Sequence, residues 1–143
     1  DVLWCEGAIF IIGFAKGLAE WRRLLKPGGH LVVSDLCWLT DDPPTEAIQL
    51  FDEEGADIDD LDGRRQTIDQ AGYDLLDDFL LPIEGWRDNY YAPLEQQLEP
   101  FRQKYADNAD ALTVAEQLQH EIDVFRRHLG TFGYGFFVMK RRD

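Results

Sequence analysis

The sequence predicts an α/β fold in which amphipathic helices alternate with short buried strands. The clearest evidence is a set of apolar residues at helical spacing, namely Phe14, Leu18, Trp21 and Leu25. Pro27 cannot continue this helix, and the two glycines after it can adopt positive φ without steric cost. Residues 31–33 then form a continuous apolar run, which is typical of a strand covered on both faces. A helix that leads into such a strand favours a βαβ unit with a parallel sheet.

Elements on either side of this unit can also be assigned. Residues 1–9 predict a short apolar strand that runs into a loop, and Gly13 precedes the first helix. After the central strand, a short helix is predicted to begin near Pro43, because Asp41 or Asp42 could cap it and proline is favoured in a first helical turn.

The next segments predict one more helix and two more strands. The apolar face of the helix is assigned to Ile58, Leu61, Arg65 and Ile68. Gly72 is its C-terminal stop. A strand follows over residues 74–81 and ends at Pro82, and residues 136–139 predict the last strand.

About fifty residues separate these two strands, which is too many for a loop without secondary structure. Two helical stripes occupy this interval; they are Leu94, Leu98, Phe101 and Tyr105, and then Ala115, Leu118, Ile122, Phe125 and Leu129. Pro100 should kink or divide the first helix, and Gly130 should stop the second. The expected structure is a helical hairpin, which could form a lid over a ligand site.

The composition is strongly acidic and argues against two classes of partner. The net charge is −14, from 28 acidic and 14 basic residues. Such a field repels the phosphates of nucleic acids and of anionic membranes, so neither is expected as a partner. Residues of hydrophobic type make up 45% of the chain, enough for the core of a single domain.

The two cysteines, Cys5 and Cys37, match no zinc or redox spacing. We expect free thiols in a reducing cytoplasm. The three histidines do not form a ligand set with them, so no metal site is expected.

Leu25–Gly29, followed at once by an apolar strand, resembles the segment before the fifth strand of class I S-adenosylmethionine-dependent methyltransferases. Residues 1–9 resemble the fourth strand of that fold, and Glu6–Ile9 with Ile12–Phe14 is similar to a subgroup that acts on small molecules. The sequence contains no acidic residue that leads into the G-x-G-x-G cofactor loop of the family. The resemblance therefore implies a C-terminal half, with strands four to seven of a Rossmann-like sheet and a helical insertion between the last two.

This resemblance implies one partial methyltransferase domain over residues 1–143. Its expected parts are a strand-helix-strand core at 1–42, helices and a strand at 43–82, the helical insertion at 83–130 and a C-terminal antiparallel strand at 131–143. In the family, that last strand lies between the fifth and the sixth. A chain that begins at Asp1, inside a predicted strand, also favours a piece of a longer protein.

The resemblance also implies a site for the methyl donor. The loop after the fourth strand faces that donor in the family, so Cys5, Glu6 and Gly7 are candidates to contact S-adenosylmethionine in the complete protein. Glu6 could act as a base or orient the acceptor.

Large amphipathic side chains predict a second part of the site, for a small-molecule methyl acceptor. Trp86, Tyr90 and Tyr91 follow the predicted sixth strand, with Glu84 nearby and Trp38 just beyond the central strand. They could line a pocket or hold a cation by cation–π contact. They could equally anchor the helical insertion to the sheet. Methyl transfer from a sulfonium needs positioning and often a base, but no metal.

The sequence is compatible with two classes of function. The first is a small-molecule methyltransferase, for which this chain alone is expected to be inactive. The second is a non-catalytic methyltransferase-like module for interaction or dimerisation. A nucleotide-dependent dehydrogenase is weaker, because the sequence has no dinucleotide fingerprint. The outer edge of Val2–Trp4 has no predicted partner, so the chain could form a homodimer through it.

Overall fold

Helices cover both faces of a mixed β-sheet in the computed structural model, which describes residues 1–143. The elements in chain order are β1 (Val2–Glu6), α1 (Phe14–Arg22), β2 (His30–Trp38), α2 (Thr45–Glu53), β3 (Asp59–Asp60), α3 (Leu61–Gln70), β4 (Tyr73–Leu80), α4 (Ile83–Trp86), α5 (Ala92–Lys104), α6 (Ala109–Arg127) and β5 (Phe132–Arg141). A 3-10 turn at Ile9–Ile11 precedes α1, and a π-helical turn at Arg87–Tyr91 joins α4 to α5.

The strand order is β1-β2-β5-β4, and the short β3 pairs with the end of β2. Strands β1 and β3 run parallel to β2, whereas β5 runs antiparallel to both β2 and β4. Asp35 of β2 lies opposite Gly135 of β5 in this register. The last strand in sequence is therefore inserted between the central strand and the strand that precedes it along the chain, which confirms the predicted topology.

One face of the sheet packs against α1 and α3. Its buried residues are Ile9, Phe14, Leu18, Leu25, Leu31, Val33, Cys37, Ile68, Tyr73, Phe137 and Met139. The rings of Phe14 and Phe137 meet edge to face at 5.7 Å. The buried Tyr73 hydroxyl donates to the Leu18 carbonyl oxygen at 3.0 Å, so its polar group is satisfied within this core.

The helical insertion and α2 cover part of the opposite face. Their shared core consists of Ala47, Leu50, Phe51, Tyr91, Leu98, Ala115, Ile122, Val124, Phe125 and Phe132. Pro100 lies within α5, which continues from Ala92 to Lys104, so the proline does not divide that helix. The predicted stop signals at Gly72 and Gly130 both adopt positive φ in the turns that follow α3 and α6.

Two local predictions were wrong. Helix α2 begins at Thr45 with Pro44 as its N-cap, and neither Asp41 nor Asp42 caps it by a side-chain hydrogen bond. On α3, Arg64 rather than Arg65 is buried, with only 3% of its surface exposed. The predicted Leu61 and Ile68 do pack in this core, and positions 64 and 65 both lie on their side of the helix. Ile58 precedes α3 and packs on the opposite face of the sheet.

Strand β1 forms an edge of the sheet and leaves large apolar side chains in solvent. Val2 is 63% exposed and Trp4 is 62% exposed. No helix of the chain is both long enough and apolar enough to cross a membrane.

Candidate functional site

A cavity of about 560 Å³ lies between the sheet and the helical insertion, beside the carboxyl ends of β1 and β2. Its walls come from the β1 loop, the second half of β2, the segment after α2, the π-helical turn, α6 and the start of β5. Thirteen of its 22 lining residues are hydrophobic. Ligands bind at the carboxyl ends of strands in open α/β sheets, so this cavity is the candidate functional site.

Aromatic rings form one wall of the cavity. Trp86 lies 5.6 Å from Tyr91 with nearly parallel rings, 5.4 Å from Tyr90 and 4.7 Å from Tyr134, all measured between ring centroids. Tyr91 in turn packs on Phe125 of α6 at 4.3 Å. A π-helical turn has more residues per turn than an α-helix, so it aligns Trp86 with Tyr91, five positions later.

Two carboxylates lie on the same side of the cavity. Tyr91 donates its hydroxyl to Oε1 of the half-buried Glu121 at 2.9 Å. Burial raises the pKa of Glu121, and the Tyr91 hydrogen bond partly opposes that shift. Glu54 is open to the cavity; lost hydration raises its pKa, and the negative charge of Glu121 raises it further.

A buried ion pair lies beneath the cavity. Asp35 and Arg64 are 2% and 3% exposed, and Arg64 Nη2 lies 3.0 Å from Asp35 Oδ2. No N–H group is directed at that oxygen, which is left without a hydrogen bond. Burial raises the pKa of Asp35 to about 6, although the charge of Arg64 acts in the opposite direction. The guanidinium also lies over the ring of Phe14, 4.5 Å from its centroid, and donates to the carbonyl oxygen of Asp57.

The loop after β1 borders the mouth of the cavity. The Gly7 amide lies 3.0 Å from the hydroxyl of Ser34, to which it donates. Gly7 has φ of 57°, and a Cβ there would lie 3.3 Å from the ring of Tyr134. Glycine therefore fits both the backbone conformation and the close approach of this ring. The preceding side chain, Glu6, accepts a hydrogen bond from the indole nitrogen of Trp4.

The cavity brings together five of the eight site residues that were predicted from the sequence: Glu6, Gly7, Trp86, Tyr90 and Tyr91. The side chain of Cys5 packs instead against the core on the other face of the sheet. Trp38 packs edge to face on Phe51 and Phe132, at 5.8 and 6.2 Å, and Glu84 lies exposed on α4. These three residues do not line the cavity.

Four important lining residues were not predicted: Asp35, Glu54, Glu121 and Tyr134. Asp35 had a usable signal, because a carboxylate at the end of an apolar strand either pairs or faces a site. Glu54 and Glu121 had no such signal. Glu54 lies at the end of one amphipathic helix and Glu121 on the polar part of another, and only the tertiary fold brings them to one cavity.

Comparisons with known proteins identify the fold. No family model matches the chain, and no curated protein sequence matches it. Among solved structures, YjhP from E. coli matches with 28% identity and a TM-score of 0.79 over 99% of this chain and 58% of that one. A SAM-dependent methyltransferase from Geobacter sulfurreducens in complex with S-adenosyl-L-homocysteine matches with 25% identity and a TM-score of 0.78, over 99% of this chain and 57% of its own.

A SAM-dependent methyltransferase from Thiobacillus denitrificans, also in complex with S-adenosyl-L-homocysteine, matches with 23% identity and a TM-score of 0.72 over 99% of this chain and 58% of its own. The chain thus spans little more than half the length of these three solved structures.

Proposed function

We propose that this chain forms the C-terminal half of an enzyme that acts on a small molecule. The premise is its fold, which is that of the C-terminal half of class I S-adenosylmethionine-dependent methyltransferases. The observation that carries the proposal is the cavity of about 560 Å³ at the carboxyl ends of β1 and β2. Its volume and mixed aromatic and polar lining are typical of small-molecule sites.

In the complete protein, Glu6, Gly7 and the backbone of Cys5 are our candidates to hold the methyl-donor end of S-adenosylmethionine. The fit rests on Gly7, which lines the cavity and has no side chain to cover its backbone there. When bound, S-adenosylmethionine supplies an electrophilic methyl group on a sulfonium sulfur. The residues of this chain would orient the acceptor, and the aromatic wall would exclude water from it.

Glu6 is our candidate for the group that orients the acceptor or takes its proton. Its carboxylate lines the cavity, and the hydrogen bond from Trp4 restrains it. A positioned general base typically contributes about 10²–10⁴-fold in rate. The wall formed by Trp86, Tyr90 and Tyr91 would shape the acceptor pocket.

The exposed edge of β1 favours a second candidate, a non-catalytic module for interaction or dimerisation. Val2 and Trp4 leave apolar surface beside unpaired backbone groups, which suits pairing with another strand. The cavity favours the enzyme, because a module that only dimerises needs no aromatic pocket with carboxylates. For both candidates, the free thiols of Cys5 and Cys37 support a cytoplasmic location.

Turnover in the complete protein tests the proposed function. Formation of S-adenosylhomocysteine should fall about 10²–10⁴-fold in Glu6→Gln and less in Trp86→Ala, if Glu6 is the base and Trp86 only shapes the pocket. Near-wild-type turnover of Glu6→Gln would assign Glu6 a structural role. A complete protein that does not bind S-adenosylmethionine would overturn the enzyme proposal.

Residues 1–143 alone should bind S-adenosylmethionine negligibly by calorimetric titration, because they lack the glycine turn and the acidic residue that bind the donor in the family. Micromolar affinity of this piece would mean that the donor site is misplaced.

A further inference from the structure

All charged residues that line the cavity are acidic. Its lining contains five carboxylates and no lysine, arginine or histidine; the acidic residues are Glu6, Asp35, Glu54, Asp57 and Glu121. Arg64 balances the charge of Asp35 from beneath the wall. None of the other four carboxylates forms a salt bridge.

Basic residues are available close by but pair elsewhere. Arg126 and Arg127 on α6 form salt bridges with Glu95 and Glu46, outside the cavity. By contrast, Glu121 on the same helix receives a hydrogen bond only from the neutral Tyr91, and Glu54 forms no salt bridge. Neither of these two carboxylates of the cavity therefore has a basic partner within the chain.

A buried polar atom on the wall also lacks a partner within the chain. The indole nitrogen of Trp86 is buried and has no acceptor. A buried polar group without a partner is uncommon in folded proteins, and at a cavity wall it indicates a ligand that can accept a hydrogen bond, as a hydroxyl does.

The aromatic wall adds a second attraction for positive charge. The rings of Trp86, Tyr90, Tyr91 and Tyr134 all line the cavity that contains Glu54 and Glu121. The faces of such rings attract cations, and the attraction grows when the cation is shielded from water. Two nearby carboxylates also repel each other, and a cation between them would offset that repulsion.

We infer that this cavity binds a small organic cation, an amine in its ammonium form or a quaternary ammonium that also carries a hydroxyl group, and that the methyl acceptor belongs to the amine class. The second half of this inference rests on the proposed function. A phosphate or carboxylate as the main anchoring group of the ligand is disfavoured, because no basic side chain of the lining could pair with it.

Binding of choline compared with 3,3-dimethyl-1-butanol tests the inference without any methyl transfer. The two molecules have nearly the same shape and both carry a hydroxyl, but only choline is charged. The dissociation constant of each molecule can be measured by titration, from the change in tryptophan fluorescence or in the NMR shifts of the protein. Choline should bind at least about tenfold more tightly than the neutral alcohol. Equal binding of the two, tighter binding of the neutral molecule, or no saturable response to choline would overturn the inference.

Matched variants locate the effect. Glu121→Gln removes the charge but keeps the shape and the hydrogen bond from Tyr91, and it should weaken choline binding about tenfold. Glu116→Gln makes the same change in net charge at an exposed position of α6 that does not line the cavity, and it should leave binding unchanged. Glu54→Gln gives a second measurement if Glu121→Gln folds poorly. Equal effects of Glu121→Gln and Glu116→Gln would also contradict the inference.

These readouts separate the two proposals. Selective choline binding without any S-adenosylmethionine-dependent transfer would keep the cation site and remove the proposed function. Transfer to a neutral acceptor, together with no preference for choline, would keep the proposed function and remove the cation site.

Discussion

The hydroxyl of Tyr91 donates a hydrogen bond of 2.9 Å to Oε1 of Glu121 and thereby links the π-helical turn to α6. The same tyrosine packs against Trp86 and Phe125. A single side chain thus joins the aromatic wall to a carboxylate of the cavity. Because Glu121 loses hydration in this position, the bond from Tyr91 both holds it and stabilises its charged form.

Tyr91→Phe should raise the pKa of Glu121, because the hydrogen bond that lowers this pKa is removed. The change should also lower the free energy of unfolding by about 1 kcal/mol, the usual net value of one such bond. An NMR titration of the Glu121 carboxyl and urea unfolding measure the two effects. Tyr90→Phe is the control, since Tyr90 is 44% exposed and makes no side-chain hydrogen bond. A Glu121 pKa that stays unchanged in Tyr91→Phe would mean that the bond is absent in solution.

The pH dependence of stability should reflect Asp35. Burial raises its pKa from 3.8 to about 6, so the folded chain binds this proton more tightly than the unfolded chain does. The stability that comes from this proton is therefore fully present below about pH 4 and is lost as the pH rises through about 6.

Urea unfolding between pH 4 and pH 7 measures this dependence. Asp35→Asn cannot ionise, so the decline in its unfolding free energy over this range should be smaller than in the wild type. The exposed Asp107 provides the control, and Asp107→Asn should keep the wild-type dependence. Identical profiles for Asp35→Asn and the wild type would contradict the raised pKa.

Any side chain at position 7 should destabilise the fold. Gly7→Ala forces an L residue to φ of 57° and brings its Cβ to 3.3 Å from the Tyr134 ring. We expect a loss of about 1–2 kcal/mol in unfolding free energy from the backbone conformation. Gly55→Ala is the matched control, because Gly55 has φ of 70° but nothing lies within 4 Å of its added Cβ. The excess cost at Gly7 measures the contact with Tyr134, and an equal cost at both positions would mean that this ring moves freely.

Local sequence patterns were sufficient to predict much of the fold. Gly28 and Gly72 both adopt positive φ where the sequence predicted chain reversal after a helix, and residues 31–33 lie buried in the central strand. The antiparallel position of β5 followed from the resemblance rather than from any local pattern. Arg64 was missed because positions 64 and 65 both lie on the side of α3 that contains Leu61 and Ile68, and no local pattern distinguishes the two arginines.

The site was harder to predict because its groups depend on tertiary packing. Trp86, Tyr90 and Tyr91 lie close together in sequence, so their clustering could be expected. Glu54 and Glu121 approach the same cavity from the end of α2 and from α6, and no spacing rule connects them. The π-helical turn that aligns Trp86 with Tyr91 is also stabilised by the packing of these rings on Tyr134 and Phe125, rather than by a signal in its own sequence.

The exposed edge of β1 should make the 143-residue chain self-associate, most simply as a two-fold dimer. Val2 and Trp4 are both more than 60% exposed beside backbone groups that no strand pairs with on that edge. Sedimentation analysis of the purified chain should give a dimer, and the double change Val2→Lys/Trp4→Lys should give a monomer, because lysines on an edge strand oppose strand pairing. Ile11→Lys is the control: Ile11 is 73% exposed but lies outside β1, so its variant should remain dimeric. A monodisperse wild-type monomer would rule out association through this edge, whereas a dimer that survives the double change would place the interface elsewhere.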